Sequence, residues 1–398
     1  MDGSPRRQFL HLVAAGTVGG LAGCTESTEG VSGPTSAGSE GSAFRSDPGR
    51  TGVTRAAGPT APVTERWTVE TADPVEGEDV STPVVADGTV YVVAESDGRL
   101  HALRAADGSE RWAAGSNLST ASPPAIAGDT VYVGGDGARD GGGRMYALAE
   151  SDGSERWATG TPGNGYAAAP AGVDGVVYAG LARGLAALDA GNGERFWHNA
   201  RAGTLGTAAV GGESAYGVTT YGLVAFDPDG TSRFLSESVG ASGTPAVRDG
   251  TVYVGGDGSG PGAMYALDAG DGTERWRLDT GAARGASGST PAVTGGTVYA
   301  SLNPGDDTAG GGYLYALDAS DGTERWSVRV PEWSTAPTVA DETVHVGTPG
   351  GVRAYATADG HERWRFGTAG DLTRPPVVAD GVVYAVDDAG RVYAIEGD

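Results

Sequence analysis

A two-part motif recurs along this chain, and its spacing leaves few folds open. One copy runs Gly243-Thr-Pro-Ala-Val-Arg-Asp-Gly-Thr-Val-Tyr-Val-Gly-Gly, then a loop, then Ala263-Met-Tyr-Ala-Leu-Asp-Ala-Gly-Asp-Gly-Thr-Glu-Arg-Trp276. The next starts at Ser289 and ends at Trp326 in the same words. The Glu-Arg-Trp ending falls at Trp67, Trp112, Trp157, Trp276, Trp326 and Trp364; a variant ends at Trp197, and one copy has Phe234 instead. A repeat of roughly 40 to 50 residues is the length of a four-stranded propeller blade. The abundance of Gly, 70 of 398 residues, suits short strands and tight turns.

Each copy resolves into four strands. In the fifth they are expected over 244–248, 251–254, 263–268 and 273–278. Asp249-Gly250 and Asp271-Gly272 are the turns between the first and last pairs, where Gly takes positive φ at no steric cost. Inner-strand cores begin near Thr82, Pro123, Ala169, Thr207, Thr244, Thr290, Ala336 and Pro375, which gives eight copies. The eighth stops at Val392-Tyr-Ala-Ile395 without its fourth strand, whereas Glu65-Arg66-Trp67-Thr68-Val69 is a fourth strand with no first three. Each fragment completes the other. The expected fold is all-β: an eight-bladed β-propeller of antiparallel four-stranded blades, its ring closed by the N-terminal strand.

The run from Ala266-Leu267-Asp268 to Trp276, repeated from Ala316-Leu317-Asp318 to Trp326, resembles the tryptophan-docking repeat of the pyrroloquinoline quinone (PQQ)-like propellers. Residues 44–52 (Phe-Arg-Ser-Asp-Pro-Gly-Arg-Thr-Gly) resemble the lead-in that such proteins carry before their first strand. The resemblance covers about 44–398. It implies that Trp67, Trp112, Trp157, Trp197, Trp276, Trp326 and Trp364 dock onto neighbouring blades. It also implies two kinds of function. The quinoprotein alcohol dehydrogenases of this group set a vicinal cysteine pair against the quinone, hold calcium or a lanthanide through Glu, Asn and Asp, and use an Asp base. The eight-bladed lipoprotein of the outer-membrane assembly machinery is a protein-interaction scaffold of nearly this length. The single cysteine here, Cys24, cannot form the pair, so no cofactor is expected, PQQ with Ca²⁺ being the runner-up.

The N-terminus reads as an address. Arg6-Arg7 before Phe9-Leu10 and an apolar stretch resemble a twin-arginine export signal, and Leu21-Ala-Gly-Cys24 resembles a lipobox. The expected organisation is a signal over 1–23, a Ser/Gly/Thr/Glu tether over 24–43 with lipid on Cys24, and the propeller over 44–398. The chain would sit at the extracytoplasmic face of the membrane. Net charge is −24, and every one of the 27 basic residues is Arg. That surface disfavours nucleic acid and anionic lipid, and it suits a haloarchaeal type of protein in high salt.

No His/Cys cluster has metal-site spacing, and His101 and His345 stand where other copies have Tyr, as packing substitutions. The second-to-third and fourth-to-first connections are the longer ones and share a face, where binding is expected. Its candidate residues are Asp136, Asp257, Asp306 and Asp307 in the former, and Tyr166, Arg284, Trp333 and Arg374 in the latter. Trp333, in Pro331-Glu332-Trp333, fits neither the repeat nor the acidic surface. The expected function is a monomeric, non-catalytic, membrane-anchored scaffold for a protein or polymer partner. The alternatives are a small PQQ-dependent dehydrogenase and a ligand-sensing ectodomain.

Overall fold

The computed structural model describes residues 47–54, 56–71, 80–115, 118, 122–137, 142–161, 168–200, 206–237, 239–256, 264–279, 287–288, 290–303 and 311–398. All of its elements are strands. They form eight sheets of the expected kind, with strands A to D of each blade hydrogen-bonded in chain order. In blade 5 the strands are Ala241–Arg248, Thr251–Gly256, Met264–Asp268 and Glu274–Leu278. Blade 8 is the composite one. Its strands Val377–Ala379, Val382–Val386 and Arg391–Gly397 are completed by Val63–Glu70, which lies antiparallel to the last with Trp67 opposite Ala394.

The A–B turns explain the Asp-Gly pairs. Asp87-Gly88, Asp174-Gly175, Asp249-Gly250 and Asp380-Gly381 have positive φ at both positions, the geometry whose twist matches that of the flanking strands. The C–D turns are fixed by side chains: Asp271 Oδ1 accepts from the Thr273 amide and hydroxyl, and Asp268 Oδ1 from the Gly270 amide. Strand D then bulges at the Arg of Glu-Arg-Trp, as between Ala266 and Leu267 in the blade 5 register. The bulge turns Arg275 towards Thr251 and Asp268, both at 2.7 Å. Arg325 repeats this with Thr297 and Asp318.

The core is divided into slabs between blades. Between blades 5 and 6, for example, Tyr253, Met264 and Trp276 pack on Val293, Val298 and Leu317. Each slab is sealed by one aromatic ring, an indole in all but the slab between blades 4 and 5. The Trp67, Trp112, Trp157, Trp197, Trp276 and Trp326 Nε1–H groups donate to a C–D turn carbonyl of the next blade at 2.7–3.0 Å. The ring lies on a glycine of that same turn. A Cβ on Gly108, Gly153, Gly193, Gly230, Gly322 or Gly360 would fall under 3.0 Å from the indole of the preceding blade. These glycines also have positive φ. Where Phe234 replaces Trp, the donor is lost, but the Tyr216 hydroxyl still donates to the Ala269 carbonyl of the next blade at 2.9 Å. Burying one indole contributes about 2–3 kcal/mol.

The two demands on these glycines can be separated. Gly322→Ala meets both the positive φ and the Trp276 ring, at 2.6 Å. Gly88→Ala meets only the positive φ, with nothing within 4 Å of its Cβ. Gly322→Ala should therefore cost about 1–3 kcal/mol more in chemical denaturation. Equal losses would show that the ring contact contributes nothing.

Candidate functional site

A closed ring of blades leaves its innermost strands with an open edge facing the axis. Those amides need partners, because a buried unpaired N–H costs about 1–3 kcal/mol. The lead-in supplies them. The Val210, Val247, Val293 and Val339 amides occupy equivalent positions on strand A of blades 4 to 7. They donate to the Pro48, Gly49, Thr51 and Gly52 carbonyls at 2.7–2.8 Å. Residues Val53–Thr54 then run parallel to Val339–Ala340 of blade 7. Gly49 has no Cβ for a reason, since one would lie 2.7 Å from the Val247 carbonyl.

Arg50 locks this belt. Its side chain is fully buried. It donates through Nε to the Ala208 carbonyl at 3.1 Å and through Nη2 to the Ala169 and Pro170 carbonyls at 3.2 and 2.6 Å. Asp47 accepts from Thr51 through backbone and hydroxyl, which fixes the bend. Burial pulls the Arg50 guanidinium down to about 10, and the charge of Asp47 opposes the fall. It is still a cation at neutral pH, stabilised by carbonyl dipoles from blades 3 and 4. The sequence carried one sign of this belt, the lead-in motif, but nothing in it reveals where the motif lies.

The same segment goes on to close the ring. Ala57 accepts from the Gly381 amide, and Pro59 accepts from the Trp364 indole at 3.2 Å. Pro59 thus stands in for the C–D turn carbonyl that blade 8, assembled from two ends, does not have. Beneath it lies His345, in the Tyr position of strand B. It is fully buried, neither ring nitrogen has a hydrogen-bond partner, and its ring is 5.5 Å from that of Trp364. A Cβ on Gly58 would touch it at 3.1 Å.

The axial face of long connections is described in part. Trp333 is half-buried and follows Glu332, whose φ is 54°. Arg374 is also half-buried, and its Nε donates to the Val80 carbonyl at 3.3 Å, which ties blade 8 to blade 1. Asp136 was expected in a loop over 135–143. The backbone instead continues as a hairpin, with Asp136 opposite Gly143 and Gly137 opposite Gly142, because pairing satisfies backbone groups that an open loop would leave to water. Tyr166, Asp257, Arg284, Asp306 and Asp307 lie outside the described residues, as do Arg6, Arg7 and Cys24. Asp387, also in a second-to-third connection, turns inward: it accepts from the Arg391 Nε and the Tyr393 hydroxyl, both at 2.8 Å.

The opposite face, made of tight turns, has a cleft of about 420 Å³ between blades 4 and 5. It opens beside Tyr216, Arg233 and Arg248, next to paired Gly211-Gly212. Its cations already have partners: Arg233 pairs with Asp227, and Arg248 donates to the Val293 carbonyl.

A quinone site of the dehydrogenase kind calls for a vicinal cysteine pair and a metal ion. One cysteine cannot make a vicinal pair. Among the described residues no group of three or more His, Cys, Asp or Glu is placed to hold a metal ion. The buried cation on the axis, Arg50, spends its donors on backbone carbonyls.

Two measurements probe this centre. Arg50→Met leaves buried carbonyls without donors and should destabilise by about 3–5 kcal/mol. It should also raise amide exchange at Val210, Val247 and Val293; unchanged exchange there would separate Arg50 from the belt. The second is acid unfolding. Burial pushes His345 down to about 4 from 6.5, with the charge of Arg363 acting in the same direction. The folded state keeps the ring neutral, so its contribution is complete above pH 6.5 and is lost as pH falls towards 4, by up to about 3 kcal/mol. His345→Tyr should flatten the stability profile across that window. A profile parallel to the wild type would rule His345 out.

Comparison with known proteins places this architecture. The sequence matches the family described as outer membrane protein assembly factor BamB over residues 60–233, 185–310 and 310–398. No curated protein matches the chain in sequence. Among solved structures, BamB from Moraxella catarrhalis is similar at TM-score 0.64 and 19% identity, covering 84% of this chain and 98% of its own. The quinohemoprotein alcohol dehydrogenase from Comamonas testosteroni reaches TM-score 0.70 at 19% identity, covering 89% and 80%. The computationally designed Ika8 protein reaches 0.65 at 14% identity, covering 82% and 98%. Likeness at this level, shared by an assembly factor, an enzyme and a design, shows the fold alone. The repeat matched through 339 residues, from 60 to 398, carries the assignment further: the chain belongs to the family of the outer membrane protein assembly factor BamB.

Proposed function

We propose that this protein is an exported scaffold, lipid-anchored at Cys24, which docks a protein or polymer partner on its long-connection face and performs no catalysis. The observation that carries the reading is the lead-in lying along the inner edges of half the ring. Residues 48–54 line the inner edges of blades 4 to 7, and Arg50 reaches the carbonyls of blades 3 and 4. On those blades the inner edge is taken up by structural hydrogen bonds, which supports a role carried by the outer surfaces. The family description, an outer membrane assembly factor, supports an extracytoplasmic place and a partner protein. The partner here is identified only by chemistry: it must tolerate a chain of net charge −24, which favours a neutral or cationic docking segment.

The similarity to a quinohemoprotein alcohol dehydrogenase keeps a quinoprotein as the second reading. The two part on one titration. Purified protein mixed with PQQ and Ca²⁺ should acquire neither a bound quinone spectrum nor dye-linked alcohol oxidation; either signal would replace the scaffold reading. The anchor and the face are tested apart. Cys24→Ala should move the protein from the membrane fraction to the soluble one. Trp333→Ala should weaken in-cell cross-linking to the partner by about tenfold while leaving that fractionation unchanged. Cross-linking at wild-type yield would remove Trp333 from the docking face.

A further inference from the structure

The seam between blades 7 and 8 departs from the other interfaces at three points. The first is in strand B, where Tyr132, Tyr216, Tyr253 and Tyr299 donate a hydroxyl to a carbonyl of the next blade. Here the position holds His345, whose two ring nitrogens are buried without a hydrogen-bond partner. The second is the Trp364 indole, which donates at 3.2 Å where the other six do so at 2.7–3.0 Å. The third is the acceptor of that bond. Pro59 belongs to a strap over 56–62 that arrives from the lead-in rather than to a turn of blade 8.

The strap is lightly held. Besides Pro59, the Ala57 and Pro62 carbonyls accept from the Gly381 and Asp398 amides at 3.1 and 3.0 Å. Its sequence, Ala-Ala-Gly-Pro-Thr-Ala-Pro, carries no charge. Yet it covers the imidazole: a Cβ on Gly58 would lie 3.1 Å from Cε1 of His345 and 3.2 Å from Nε2. The strands of blade 7 around the ring are bonded along their length in the sheet ladder, so the strap is the part that moves most easily.

A proton on His345 would find no acceptor there. The titratable groups of the surrounding elements are engaged or face water. Arg363 of strand D is held by Thr343 and Glu342, and Arg353 of strand C by Glu362. On blade 8, Glu396 pairs with Arg66, and the Tyr393 hydroxyl donates to Asp387. Asp341 and Asp380 are exposed at the A–B turns. Among these, Arg363 is the group whose charge acts on the ring, and it opposes a second cation. A buried cation without an acceptor is relieved by reaching water.

We propose that the strap over 56–62 is an acid-operated latch: protonation of His345 lifts it from the seam while the closing strand Val63–Glu70 and the other blade interfaces stay in place. The sign follows from burial. With the strap closed, His345 is pushed down to about 4 from 6.5. The closed form is therefore favoured in full above pH 6.5 and loses ground as pH falls towards 4. The event is a local opening at one seam, below the threshold of ring unfolding, and it is independent of any docked partner.

The test is hydrogen exchange at the tryptophan indole N–H groups of the full chain, each rate taken relative to the intrinsic rate at the same pH. From about pH 7 to about pH 5, protection of Trp364 should fall about thirtyfold, and that of the Gly381 amide should follow. The Trp276 and Trp326 indoles should keep theirs. His345→Leu should abolish the Trp364 response, with His345→Gln in its place if circular dichroism shows that the first does not fold. An equal loss at all three indoles is unfolding of the ring and overturns the latch. A flat Trp364 profile overturns it too, as does a response that survives in the His345 variants.

Discussion

The ring depends on one contact made again and again: an indole laid on a glycine of the next blade, with its N–H on a carbonyl of the same turn. The contact ties three sequence features into one unit. Trp is needed for the apolar area and the donor. Gly is needed because the turn has positive φ and because any Cβ would strike the ring. The Asp residues are needed to shape the turn that presents both. None of these roles is chemical in the catalytic sense, so a repeat can be strongly marked in sequence while saying little about activity. The blade 4 interface shows how much of the contact is redundant. Phe234 keeps the area, and Tyr216 keeps a hydrogen bond to the neighbouring turn.

Ring closure raises a second demand that the repeat cannot meet by itself. Inner strands have an edge on the axis, and their amides are shielded from water. The lead-in answers with carbonyls placed against blades 4 to 7, and Arg50 answers carbonyls at the inner ends of blades 3 and 4. One peptide then travels outward to supply Pro59 to Trp364 and the missing strand to blade 8. Plug, seam and fourth strand are therefore a single continuous element. His345 lies under that element at the point where tyrosines elsewhere reach the next blade's carbonyl, as Tyr253 and Tyr132 do. Its two ring nitrogens are buried at the seam without a hydrogen-bond partner.

Surface chemistry divides along the same geometry. The tight-turn face is made from Asp-Gly turns and the lead-in, held by backbone bonds and by the Asp and Arg50 side chains. The rim carries Arg–carboxylate pairs, such as Arg275–Asp268 and Arg325–Asp318, which are half-exposed and contribute about 0–1 kcal/mol each. The long-connection face keeps the irregular backbone, and there some carboxylates, Asp387 among them, are drawn inward to hold loops. Acidic residues on such a face cannot be counted as ligands until their partners are known.

The sequence by itself determined the blade count, the strand order and the closure, because each follows from local pattern: turn pairs that require positive φ, a recurring Glu-Arg-Trp strand, and two incomplete ends that complement each other. It also marked the substitutions at Phe234 and His345, since a strict repeat makes each departure visible. It did not show that the two strands of blade 2 stay paired as far as Gly137 and Gly142, because glycine-rich stretches are equally compatible with loop and strand. It did not show what Arg50 does. An Arg in a polar, glycine-containing lead-in reads like any surface residue, and the carbonyls of Ala169, Pro170 and Ala208 that Arg50 reaches lie 119 to 158 residues away in the chain. Only the tertiary structure decided that, because an axis exists only after eight blades have closed around it.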